Sequence, residues 1–176
     1  MGETRSTSAV LVRAALAGLA AAWVKAVSEP PLQRLAERLL PPSPASKRQV
    51  GADPAGHPEN LPPAVVIARL AAALGAPVPA AAKRVAAQRV VHYVFGTGLG
   101  VGYAMAARHR RESSAGRGTA AGFAVYAGTH GSLLPAAGVQ PPPWNLSPAA
   151  VGWELASHLL WGAALDAASR ATGALR

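Results

Sequence analysis

The sequence predicts an all-α, polytopic membrane protein: a four-helix transmembrane bundle with short interfacial helices in an outer loop. Three observations carry that prediction. Hydrophobic residues make up 51 % of the 176-residue chain and charged residues only 14 %, where a soluble domain carries about 25 %. Apolar runs close to the length of a bilayer crossing recur at about 8–27, 88–107, 119–139 and 148–168. Prolines and arginines collect in the intervals between them.

Composition removes several function classes. There is no cysteine, so disulfides, thiolate metal sites and cysteine nucleophiles are excluded. The net charge is +9, which can signal nucleic-acid binding. Here many of the basic residues flank apolar runs, and no basic patch is interleaved with aromatics. The expected partner is therefore a lipid bilayer and not a nucleic acid. Mean hydropathy is only +0.20 because much of the apolar content is alanine, so each span is read from its run and its flanks.

Ser8 to Val27 is the first run, with Arg13 and Lys25 near enough to its ends to snorkel. A cleaved signal peptide is the alternative, since Ala20–Ala22 supply small residues, but signal cores run about 7–15 residues. Pro30 and Pro31 are expected to end this helix. Leu32 to Leu40 then reads as a separate short amphipathic helix with Leu32, Leu35 and Leu39 on one face. Residues 43–61 read as an irregular polar loop in which His57 is solvated. Ala64 to Leu74 is apolar but too short to cross, and reads as an interfacial or re-entrant helix with Arg69 snorkelling.

A new helix is expected from about Ala80, with its membrane part ending near Ala107. Gly98 and Gly102 form a small-xxx-small pair suited to close helix packing in lipid. A phosphate loop is the weaker reading of these glycines, because no Lys-Ser/Thr pair follows and no strand precedes. The third span carries His130 near its centre. The fourth carries Glu154, His158 and Trp161. Tryptophans 23, 144, 153 and 161 read as interface anchors or packing groups.

Arg108, Arg110, Arg111 and Arg117 crowd one short loop, which places it in the cytoplasm by the positive-inside rule. Both termini are then cytoplasmic and residues 28–87 extracytoplasmic. Lys83, Arg84 and Arg89 run against that assignment. In this topology Lys25 and Glu29 fall at the outer end of span one. His92, His130, Glu154 and His158 all occupy the outer half of the bundle. His92 shares a helix face with Tyr103, Tyr126 with His130, and Glu154 with His158 and Trp161. A closed bundle can point these faces inwards.

The pattern resembles the YagU-like family of small bacterial inner-membrane proteins of unknown function. The residues that carry the resemblance are Trp23-Val24-Lys25 with Glu29; Pro62-Pro63 opening an apolar helix; His92 with Phe95 and Gly102-Tyr103; His130 with Pro135, Gly138 and Pro141-Pro142; and Glu154 with His158 and Trp161. The resemblance covers most of residues 18–168, and residues 43–61 lie outside it. It implies a polytopic protein of the bacterial inner membrane and brings no catalytic residues.

Three roles stay open for His92, His130, Glu154 and His158. They can form a structural polar network between helices. They can form a path for protons or a small solute, since imidazoles titrate near neutral pH and a homo-oligomer would enlarge the enclosed volume. They can form a three-His, one-carboxylate shell for zinc, iron or copper, or two histidines can clamp a haem. No His-Glu-x-x-His motif and no defensible Ser-His-Asp set supports an enzyme.

Overall fold

The computed structural model describes residues 7–109 and 111–175. Among them the chain is helical, with no strand. Helix α1 spans Thr7–Leu39 and contains both Pro30 and Pro31, so the expected break does not occur. Each proline forfeits one backbone hydrogen bond and crowds the preceding turn. The continuation is held from the side. Gln33, 2 % exposed, donates to Glu37 Oε1 at 2.7 Å and to Asp53 Oδ1 at 2.6 Å.

Residues 43–61 are more ordered than their composition suggests. A four-residue helix, α2 (Pro44–Lys47), follows Ser43, whose Oγ accepts from the Ser46 N–H. A 3-10 turn covers Pro58–Asn60. Lys47 Nζ sits 2.8 Å from Glu37 and 3.3 Å from Asp53. Burial alone would raise the Asp53 carboxyl. The hydrogen bonds from the Gly56 N–H, Gln33 and Lys47 outweigh it and hold Asp53 below the usual carboxylate value. The Glu37 hydrogen bond raises Lys47, against desolvation and with further help from Asp53. The segment expected to be an irregular polar loop is thus clamped to α1 by charge. His57, expected to be solvated, is half-exposed and lies 3.3 Å from Glu59.

Helix α3 (Pro62–Ala73) starts on a proline, which suits the first helical turn. It stops at Gly75, whose φ of 65° is the left-handed cap geometry. Its 12 residues rise about 18 Å, too short to cross a bilayer. Arg69 reaches the Ala137 carbonyl at 3.4 Å. Helix α4 is Ala81–His109. Helix α5 (Thr119–Gly128) runs into a π turn at Thr129–Leu133 and a last turn, α6 (Leu134–Ala136). Helix α7 (Pro148–Ala171) begins where the Ser147 hydroxyl accepts from the Ala150 N–H.

By length and composition α1 and α4 can cross a membrane; they are two of the four predicted spans. Helix α7 has 24 residues but carries Glu154, Asp166 and Arg170, and the third run is divided by its π turn.

The chain forms two compact units. One contains Met1–Ala26, Tyr93–Ala124 and His158–Arg176; the other contains Val27–His92 and Val125–Ser157. The first unit packs small residues. A Cβ on Gly18 would lie 2.5 Å from the Gly96 carbonyl oxygen and 2.9 Å from Gly100 Cα, so α1 and α4 touch backbone to backbone there. Ala14, Ala104 and Ala174 cluster with Val101 and Leu175. The packing role expected of Gly98 and Gly102 falls instead to Gly96 and Gly100. Nothing lies within 4 Å of a Cβ at Gly98 or Gly102, because two residues turn a helix by about 200°. In the second unit Ala52, Leu146 and Ala150 form the apolar centre with Val151.

Candidate functional site

The second unit places His130 on the π turn. Such turns insert a residue into an α-helix and recur at functional positions. Two hydroxyls bond to the backbone around it: Thr129 Oγ1 donates to the Val125 carbonyl at 2.6 Å and Ser132 Oγ to the Ala127 carbonyl, five residues back, at 2.8 Å. Tyr126 stacks near the imidazole, with ring centroids 6.0 Å apart and planes at 15°. The shared face expected for this pair is therefore present.

Gln140 comes from the turn after α6. Gly138, at φ 63°, closes that turn, and the N–H groups of Val139 and Gln140 both point to the Leu134 carbonyl. The side chain of Gln140 is buried. Gly51 lies against it, where an added Cβ would stand 3.1 Å from the amide nitrogen. Glu154, 4 % exposed, comes from α7.

These three side chains meet. His130 Nδ1 lies 2.9 Å from Gln140 Oε1 and 2.9 Å from Glu154 Oε1. Two acceptors at one ring nitrogen require that this nitrogen carries a hydrogen. Gln140 Nε2 in turn donates to Glu154 Oε2 at 3.5 Å, the long edge of the group. The imidazole is therefore oriented through Nδ1 by a carboxylate and an amide, in the way outer groups orient functional histidines.

Among the described residues no group of three or more His, Asp or Glu could hold a metal ion. The four-ligand shell expected of His92, His130, Glu154 and His158 is not assembled; His130 and Glu154 satisfy each other. His92 is half-buried on α4, and His158 is buried one turn after Glu154 on α7. Lys25 and Glu29 are half-buried one turn apart on α1. Trp153 and Trp161 are buried as packing groups, whereas Trp23 and Trp144 are exposed. Gln140 was missed in the sequence because it reads as the start of a proline turn.

The first unit holds a second polar group. Asp166, 2 % exposed, accepts from the Tyr103 hydroxyl at 2.6 Å and from Arg170 Nε at 2.7 Å and Nη2 at 3.1 Å. Arg117 adds a second cation within electrostatic range. Tyr103, expected on the His92 face of α4, bonds to this carboxylate. The i, i+4 spacing of Asp166 and Arg170 was a usable signal; the tyrosine had none.

No curated protein and no solved structure matches the chain. The family model described as "Protein of unknown function (DUF1440)" matches residues 32–167, and the chain belongs to that family.

Proposed function

We propose that the chain is an integral protein of the bacterial inner membrane, a four-span bundle with both termini in the cytoplasm, in which His130, Gln140 and Glu154 form a structural polar lock. The observation that carries the lock is His130 Nδ1, which lies 2.9 Å from an oxygen of each of two other segments. A polar group in hydrocarbon needs a partner, and here each of the three side chains has one. Interhelical pairs of this kind contribute about 0.6 kcal/mol on average and up to about 1.7. Membrane placement is supported by α1 and α4, by the sparse charge and by the arginine-rich 108–117 loop. The YagU-like resemblance supports the same placement.

Two experiments test this. A reporter fused at Ser114 is expected to read as cytoplasmic; an extracytoplasmic signal removes the topology. His130→Ala is expected to lower the thermal midpoint of the purified protein without altering proton permeability of liposomes that contain it. A proton path is the second reading, favoured because a carboxylate orients an imidazole here, as in proton relays. A pH-dependent proton flux in the native protein that His130→Ala abolishes would replace the lock by that reading.

A further inference from the structure

Helix α3 leaves one face bare. Val66, Leu70 and Leu74 recur on it at four-residue spacing, and all three are exposed, as is Val78 in the linker to α4. Arg69 is exposed beside Leu70, and its bond to the Ala137 carbonyl is long, at 3.4 Å. Arg84 Nη1 donates to the Pro79 carbonyl at 2.7 Å, which ties the linker to the first turns of α4. Lys83 is exposed on those turns. No aspartate or glutamate occurs between Glu59 and Glu112. The joint between α3 and α4, all of it within the second unit, is therefore apolar and cationic at once. That pairing suits a helix lying on a lipid surface.

Helix length sets the depth. Helix α4 has 29 residues, which rise about 43 Å, and the hydrocarbon core takes about 20 of them. Its apolar part starts at Val90, so residues 81–89 overhang the core at the α3 end. Lys83 stands about 10 Å beyond Val90 along the axis, within side-chain reach of headgroup phosphates. The stretch holds no acid to balance Arg69 and Lys83, whereas an anionic headgroup layer balances them at that depth. Arg89 shares a cavity lining with Glu29 and is not counted. An acidic protein face would match the charge, but not the run of the chain from this joint directly into a span. We propose that the α3–α4 joint docks on anionic phospholipid headgroups, with Arg69 and Lys83 on the phosphates and Val66, Leu70, Leu74 and Val78 among the upper acyl carbons. The docking rests on the reading that α4 crosses the membrane, and it holds for either orientation of the chain.

The test is native mass spectrometry of the full-length protein in a nonionic detergent, titrated with dioctanoyl phosphatidylglycerol or dioctanoyl phosphatidylcholine. Phosphatidylglycerol is expected to bind about tenfold more tightly or better, and about 0.5 M ammonium acetate should remove most of that margin. Lys83→Gln should cost about fivefold in phosphatidylglycerol affinity and leave phosphatidylcholine affinity as it was. Its thermal midpoint should not change, because the side chain is exposed. Leu70→Ser combined with Leu74→Ser should weaken both lipids. Equimolar inorganic phosphate should not displace the lipid, since it has no acyl chain to bury. Equal affinity for the two lipids, displacement by equimolar phosphate, or full phosphatidylglycerol affinity in Lys83→Gln overturns the docking. Alkaline carbonate extraction of cell membranes reads the span separately. Release of the protein overturns the membrane reading and the docking with it, whereas retention with equal lipid affinities overturns the docking alone.

Discussion

At the scale of single residues, the informative groups are buried polar side chains that find partners within their own unit. Asp166 is the clearest. Its carboxylate takes one hydrogen bond from Tyr103 and two from Arg170. Tyr103→Phe removes the only one of these donors that is itself buried and is expected to destabilise the protein by about 1–3 kcal/mol, read as a lower midpoint in thermal unfolding. An unchanged midpoint would show that the hydroxyl is replaceable by water. Residue chemistry of this kind was half legible in the sequence. The pairing of Glu154 with a histidine could be suspected from two polar groups in apolar runs. Which histidine could not, because His130 and His158 are both one helical turn or one neighbouring helix away, and the π turn alters the phase of the first. Gln140 carried no signal beside three prolines.

At the scale of elements, two features decide the packing. The first is the backbone contact of α1 with α4 at Gly18, Gly96 and Gly100. Gly18→Ala should lower stability because its Cβ meets backbone, which cannot rotate away. Gly98→Ala should leave stability unchanged or raise it by about 0.5–1 kcal/mol through helix propensity. Thermal midpoints of the two variants, side by side, check the assignment. The glycine spacing was visible in the sequence; the choice between two interleaved pairs was not, since both have the same period. The second feature is the charge clamp on the 43–61 segment. Asp53 titrates lower in the folded chain than in the unfolded one. Its contribution is fully present above the ordinary value of about 3.9 and is lost as pH falls through the folded value. Lys47 titrates higher when folded, so its contribution is full below about 10.4 and is lost as pH rises beyond it. Asp53→Asn should remove part of the acid loss in a stability–pH profile and, because Asp53 also helps raise Lys47, shrink the alkaline loss while the Glu37 contribution remains. Composition alone hid this clamp, because a stretch rich in proline and polar residues looks the same whether its charges are solvated or paired.

At the scale of the whole molecule, the sequence supported the helical class, the apolar helices α1 and α4 and the short α3, all from run length and flanking residues. It did not reveal that α1 continues through Pro30 and Pro31, since side contacts more than a dozen residues away hold that continuation. Nor did it reveal how the chain divides. The boundaries between the units fall inside helices: α1 at Ala26–Val27, α4 at His92–Tyr93, α5 at Ala124–Val125 and α7 at Ser157–His158. Each unit is therefore assembled from separated stretches of chain. In genetic terms, no single cut releases either one. A gene split after the codon for Ser114 yields an N-terminal half and a C-terminal half, each holding fragments of both units. Such halves suit a complementation experiment: separately expressed they should be unstable, and together they should restore the full-length unfolding midpoint only when both units re-form.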